Sequence, residues 1–298
     1  MIGIFVSLLG LAAQPAAAQY RPAPAPSATS PRLQFLEQRL AATAAAGTGE
    51  YGMAAMDLST GETVSYNGRT PFPMASVVKV AVAATYLSQV DAGVRTMNDQ
   101  NEGIPASRLM ELMLTRSDNA ATDRLFTMLG GPHVVNAWLR TNGFAGIRVD
   151  RNIAQLLAAR RDLRDVRDSA TPLAYLRMLQ VIDRGRVLSP RSRALLLDTM
   201  ARCVTGSNRI RGLLPPGTRV EHKTGTLTGL TDDVGFVTLP DGRRIAMALF
   251  ARYGEGRPTV IANAARTIYE SFAAQGGGMP ALAPAPSTLR RLPVGRMD

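Results

Sequence analysis

Of the 34 basic side chains in this 298-residue chain, 32 are arginine, and the only lysines are Lys79 and Lys223. Lys79 stands in "FPMASVVKVAVAATYL" (72–87), one helical turn after Ser76, with Val77, Val78, Val80, Ala81 and Val82 around it. Residues three apart share a helix face, and a helix apolar on every side is buried all round. Burial disfavours the charged form of an amine and lowers its pKa. A neutral amine beside a serine hydroxyl can take its proton and make the oxygen a nucleophile. Arginine keeps its proton under any protein condition, so this position demands lysine. Taken alone, S-x-x-K fits a serine and a snorkelling lysine on a surface helix equally well. Two further clusters follow it: Ser117-Asp118-Asn119, and Lys223-Thr224-Gly225-Thr226, so both lysines fall within one pattern.

These residues need rigid elements to bring them together. A helix is predicted from Pro31 to about Ala46, with proline at its start and Gly47 at its end. Two strands follow, "YGMAAMDLS" and "ETVSYN", joined at Thr60-Gly61. Helical periodicity then runs from Ser76 to about Met200, broken at Asp91-Ala92-Gly93, Gly130-Gly131 and Asn142-Gly143. Strand patterns return in "RVEHKTGT", "DDVGFVTLP" and "RRIAMALFARY", with Asp241-Gly242 as a hairpin turn, before a last helix, "PTVIANAARTIYESFAA". Strands at both ends with helices between predict an α/β (α+β) fold. Its antiparallel sheet is built from the N- and C-terminal segments (32–72 and 206–275) with flanking helices, and an all-α domain (73–205) is inserted.

S-x-x-K, S-D-N and K-T-G in this order occur in class A β-lactamases and penicillin-binding proteins. The chain resembles that superfamily, its class A β-lactamase branch above all, over about residues 33–273: "FPMASVVK", "SDNAA", "RDSATP", "TGSNRIRGLLP" and "HKTGT" match in order. The resemblance implies that Ser76 attacks a carbonyl carbon and is acylated, with Lys79 as its base. Ser117 would relay a proton to the leaving nitrogen, and Asn119 would hold the substrate's amide carbonyl. Lys223 would hold Ser117 and attract the substrate carboxylate, helped by Thr224. The backbone N–H groups of Ser76 and Thr226 would form the oxyanion hole. Arg209 looks like the carboxylate-binding arginine that some members carry there; a surface arginine is the plainer reading. No cofactor or metal is implied, and the substrate would be a β-lactam or a D-Ala-D-Ala peptide met by a monomer.

Two departures bear on the outcome. In class A β-lactamases a loop beginning Asp-Arg carries a glutamate that activates the deacylating water. Here the loop reads "VDRNIAQLLAARRDLRDVRDSATP"; Asp150-Arg151 and Arg167-Asp168 match its clasp, which implies an Arg151–Asp168 salt bridge. Counted from Arg151 the glutamate's place holds Ile153; counted back from Asp168 it holds Gln155, and no glutamate occurs between Glu111 and Glu221. Asp162 and Asp165 read as partners of neighbouring arginines. Second, the segment between Lys79 and Ser117 is shorter than the family's and has no aromatic residue between Asp91 and Arg108, which predicts a more open cleft. Acylation would be intact and release of a penicilloyl ester slow. The alternatives are a D-Ala-D-Ala carboxypeptidase and a non-catalytic penicillin-binding-like envelope protein.

Composition is consistent with these readings. "MIGIFVSLLGLAAQPAAAQY" has an apolar run from Ile2 to Ala13 and small residues to Ala18, the pattern of a signal peptide over 1–18, although no Lys or Arg precedes the run. A Pro/Ala linker (19–31) follows, and a Pro/Ala tail (276–298) reads as disordered. Secretion or a periplasmic location is therefore expected, without stable membrane insertion after cleavage. A net charge of +11 could attract nucleic acid, but the arginines are scattered and no recognition motif is present. The single Cys203 excludes an intramolecular disulfide and a thiolate metal cluster, and reads as a small core residue. A Ser-His-Asp hydrolase has only His133 and His222 to draw on and no G-x-S-x-G elbow, and His222 reads as a strand residue pointing away from the cleft.

Overall fold

The structure, a computed structural model, describes residues 30–276 apart from 161, so the expected signal peptide and nearly all of the expected linker and tail lie outside the described residues. Helix α1 (Pro31–Ala45) leads into strands β1 (Glu50–Asp57) and β2 (Thr63–Tyr66). A two-residue strand β3 (Phe72–Pro73) and a 3-10 turn (Ala75–Val77) deliver the chain to α2 (Val78–Asp91). The short strands β4 (Gln100–Asn101) and β5 (Ile104–Pro105) form a hairpin, followed by α3 (Ala106–Thr115), α4 (Asn119–Leu129), α5 (Pro132–Thr141) and α6 (Ile153–Ala158). Strand β6 (Ser169–Ala170), α7 (Pro172–Asp183) and α8 (Pro190–Ala201) complete the helical region, and β7 (Val220–Leu227), β8 (Leu230–Thr238), β9 (Arg244–Arg252) and α9 (Arg257–Ala273) close the chain.

The main sheet has the order β2-β1-β9-β8-β7, with every pair antiparallel. It joins the N- and C-terminal segments, as the strand patterns predicted. Both of its faces are covered. On β9, Ile245, Met247, Leu249 and Ala251 pack with α1 and α9, while Ala246, Ala248 and Phe250 pack with the helical region. Side chains alternate across a strand. A strand buried on both faces therefore reads as a continuous apolar run, as "IAMALFA" does. The result is three layers, with β7 at an edge of the sheet.

Helix α2 is the centre of the helical layer, and all ten residues from Val78 to Leu87 are buried. This matches the all-round apolar pattern of its sequence. One correction concerns its start: Ser76 belongs to the 3-10 turn, and the α-helix begins at Val78. The inference that Ser76 and Lys79 share a face survives, because residues three apart also eclipse in a 3-10 turn. The pairs β3–β6 and β4–β5 had no signal in the sequence, since two residues are too few to show alternation.

Candidate active site

Four segments converge on one end of α2. Ser76 enters from β3, and the residue before it, Ala75, has φ +42°, a left-handed conformation that costs energy for a residue with a Cβ. The turn is held from outside. The Met74 N–H donates to the Asp168 carbonyl at 2.9 Å, and the buried Tyr175 hydroxyl donates to the Val77 carbonyl at 2.7 Å. Ser76 thus opens a helical segment, where amide N–H groups lack intrahelical acceptors and are suited to binding an anion.

Each residue of Ser117-Asp118-Asn119 has a separate task. Asp118 is the N-cap of α4, its carboxylate accepting the Ala121 N–H at 2.7 Å. Ser117 is forced to φ +60°, another strained position. Both neighbours of the cap turn oxygens towards Lys79. The Lys79 Nζ donates to the Ser117 carbonyl at 2.7 Å, to the Asn119 Oδ1 at 2.8 Å and to the Ser117 Oγ at 3.2 Å. Lys79 is completely buried, whereas Ser76 and Ser117 are half-buried and Asn119 is exposed. Burial, reinforced by the Lys223 ammonium and opposed by Asp118 and Asp123, brings the Lys79 pKa down from 10.5 to about 7. A neutral amine has two hydrogens, and the two carbonyl oxygens can take both. Its lone pair is then left for a hydroxyl. Among the described residues no hydrogen bond joins Lys79 directly to Ser76; the shared side of the turn supplies the approach.

Lys223, equally buried, comes from edge strand β7. Its Nζ donates to the Ser117 Oγ at 3.0 Å and to the Thr224 carbonyl at 2.8 Å, so the Ser117 hydroxyl bridges the two lysines of the chain. Desolvation lowers its pKa to about 8. Gly225 follows because nothing larger fits: a Cβ there would stand 2.8 Å from the Met74 carbonyl and 2.9 Å from Asp232 Oδ2. That close approach lays β7 against the turn carrying Ser76. Asp232 beneath it is fully buried, and burial raises its pKa well above the usual carboxylate range.

The remaining predicted residues separate. Thr226 is exposed, and its Oγ1 accepts from the Arg209 Nη2 at 2.7 Å, while the Arg209 Nη1 is anchored on the Gly225 and Asp232 carbonyls at 2.8 Å each. Arg209 is therefore a fixed part of the cleft edge and not a free surface arginine. Thr224, in contrast, is buried, with its hydroxyl 2.5 Å from that of Thr205. His222 turns to the opposite face from Lys223 and meets the Asp233 carboxylate at 2.9 Å, as its place in the strand predicted.

The loop from Asp150 to Asp168 closes the other side. Arg151 Nε donates to Asp168 Oδ2 at 2.5 Å, which is the inferred clasp, and Asp168 Oδ1 also accepts the Asp150 and Arg151 N–H groups. Asp165 pairs with Arg151 and Arg167; Asp162 instead accepts a backbone N–H, that of Arg164, at 2.8 Å. Gln155 is exposed, and its side-chain oxygen accepts the Asn152 N–H at 3.0 Å in a capping box for α6. Ile153 is buried in the main core. Asp123 went unnoticed in the sequence: from α4 its carboxylate accepts the Ile153 and Ala154 N–H groups at 2.7 and 2.9 Å, fixing α6 to the helical layer. An aspartate inside a helix gives no sequence signal for a partner about 30 residues away.

Comparisons with known proteins show the family. The beta-lactamase enzyme family matches residues 34–102 and 94–272. The extended-spectrum beta-lactamase PER-1 of Pseudomonas aeruginosa is 30% identical over 81% of this chain and 89% of its own. The carbapenem-hydrolyzing beta-lactamase KPC of Klebsiella oxytoca is 33% identical over 76% and 86%. A beta-lactamase crystal structure from Chitinophaga pinensis superposes with a TM-score of 0.75 at 30% identity, covering 80% of this chain and 99% of that one. Among the described residues no helix is long and apolar enough to cross a membrane. By the family model, these relatives and the shared fold, the chain belongs to the class A branch of the beta-lactamase enzyme family.

Proposed function

We propose that the protein opens β-lactam rings through an acyl-enzyme on Ser76 and releases that acyl group slowly. The observation that carries the first half is the buried Lys79 amine, with a pKa of about 7 and its hydrogens directed at two carbonyl oxygens. Lys79 takes the Ser76 proton, and the Ser76 oxygen bonds to the lactam carbonyl carbon. The C–N bond then breaks, and the nitrogen receives a proton through the Ser117 hydroxyl, which Lys79 and Lys223 both hold. The Ser76 and Thr226 amides receive the oxyanion. Lys223, Thr224 and the anchored Arg209 attract the substrate carboxylate, and Asn119 receives its amide carbonyl.

The second half rests on the loop. Deacylation needs a base to activate water, and each of the four carboxylates from Asp150 to Asp168 is already bonded to an arginine or a backbone N–H. The test is to mix the protein with a penicillin and follow its mass. A persistent adduct on Ser76 is expected; turnover at many per second without accumulation refutes slow release, and no adduct refutes the acylation chemistry.

A D-Ala-D-Ala carboxypeptidase is the second reading. It is favoured by the short connection from α2 to α3, where the β4–β5 hairpin stands and no aromatic residue occurs between Asp91 and Arg108. Such a cleft admits a peptide. Rates on a chromogenic cephalosporin beside a D-Ala-D-Ala peptide distinguish the two. The N-terminal apolar run further supports export, which sequencing the mature N-terminus of secreted protein checks.

A further inference from the structure

The segment that carries Ser76 is bracketed by one other stretch of chain, residues 168–175, which ends the loop and begins α7. The Asp168 carbonyl accepts the Met74 N–H at 2.9 Å, and Ser169 and Ala170 pair with Pro73 and Phe72. These contacts lie ahead of the turn and join backbone to backbone. Past the turn the contact is made by a side chain: the Tyr175 hydroxyl donates to the Val77 carbonyl at 2.7 Å. The same stretch thus grips the turn at its entry and at its exit.

Packing alone does not call for a hydroxyl at this position. Tyr175 is fully buried in the main core. Its ring meets Phe250 edge-on at 5.9 Å, and Phe250 stacks on Phe72 of β3 at 6.0 Å. Phenylalanine would supply the same ring, and a buried hydroxyl costs free energy unless it is bonded. Burial holds the phenol well above its ordinary pKa, so it stays a donor at neutral pH and takes no part in proton transfer. Ala75 gives the donor a task. Its φ of +42° is a strained conformation, which persists where the surroundings over-determine it. The strain before Ser76 is opposed by the Tyr175 bond after it.

We propose that Tyr175 is a positioning residue for acylation: through the Val77 carbonyl its hydroxyl keeps the 3-10 turn wound and the Ser76 oxygen in place beside Lys79. The effect on rate rests on the reading that Ser76 is the acylated residue. Tyr175 touches neither substrate nor reacting atoms. It acts on the chemical step through the turn and leaves the groups that hold the substrate where they are.

Tyr175→Phe removes one oxygen and keeps the ring. At saturating fluorescent penicillin its acylation rate constant should fall about tenfold, because a misplaced reacting group costs more than the lost bond itself. The drug concentration giving half the maximal rate should stay unchanged. A tyrosine that served stability alone would lower the denaturation midpoint and leave the rate constant of folded protein intact. Thr85→Val is the control: the buried Thr85 hydroxyl donates to the Ala81 carbonyl at 2.8 Å, farther along α2. That variant should lose stability and acylate at the parent's rate. Tyr175→4-aminophenylalanine returns a donor to the same place and should recover most of the loss, which also covers a phenylalanine variant that folds poorly. Hydrogen exchange reads the turn without substrate, and the amides of residues 74–78 should exchange faster in Tyr175→Phe but not in Thr85→Val. A folded Tyr175→Phe that acylates at the parent's rate, or unchanged exchange at 74–78, overturns the proposal. If the parent takes up no penicillin, the Ser76 reading fails, while hydrogen exchange still decides whether Tyr175 holds the turn.

Discussion

The two walls of the cleft use their polar groups in opposite ways. On the wall made by α2 and β7, Lys79 and Lys223 are buried, and their hydrogen bonds meet at the half-buried hydroxyl of Ser117. On the loop wall, the carboxylates of Asp150, Asp162, Asp165 and Asp168 are all committed to holding the loop's shape. On the proposed reading, one wall keeps a reactive lone pair at the cost of burying an amine, and the other keeps a fold and no free base. The difference teaches that counting polar residues around a cleft says little until their hydrogen bonds are assigned.

The strongest way to break the comparison is to remove the reactive amine. Lys79→Arg is expected to slow penicillin acylation roughly 10²–10⁴-fold, the usual worth of a positioned base, measured by the rate of adduct formation. Lys79→Met should lose as much activity yet fold more stably. The shift from 10.5 to about 7 corresponds to a burial cost on the order of 5 kcal/mol when the amine is charged. Because the folded pKa is depressed, the folded state binds fewer protons between pH 7 and 10.5, so stability rises with pH across that window. The gain of the methionine variant over the parent should therefore be largest below pH 7 and fade towards 10.5 in denaturant titrations.

Next in size is the loop clasp. Asp168→Ala leaves Arg151 with Asp165 alone and strands the Asp150 and Arg151 N–H groups, and it should destabilise the fold by about 3 kcal/mol, the low end for a broken buried pair, read as a lower denaturation midpoint. Slower acylation should accompany it, because the Asp168 carbonyl holds the turn before Ser76. A smaller effect is the pH profile of acylation. The rate should rise through about pH 7 as Lys79 loses its proton, then fall beyond about 8 as Lys223 becomes neutral and attracts carboxylate less. As the two amines interact, both limbs belong to the pair. The smallest effect sharpens the comparison from the loop side. Gln155→Glu should leave the acyl-enzyme lifetime unchanged, since a carboxylate there still accepts the Asn152 N–H; mass spectrometry of the decaying adduct measures it.

The grouping of Lys79, Ser117 and Lys223 beside Ser76 was legible because each was marked by residue type in a local setting. Valine and alanine around Lys79 state its burial directly. The five-stranded sheet was legible for a similar reason, since its strands are long enough to show turn signals at their ends. The boundaries of β8 moved by two residues, from 232–240 to Leu230–Thr238, because an apolar strand buried on both faces gives no alternation to mark its end.

What the sequence determined by itself is therefore the set of reactive groups and the layers that carry them. Only the tertiary structure decided how each group is used: that Thr224 is tied to Thr205, that Arg209 is anchored on two carbonyls, and that Asp123 fixes α6. Those outcomes depend on hydrogen bonds between segments some 16 to 31 residues apart, whose energies are set by distance and burial in the folded chain. No local pattern encodes them.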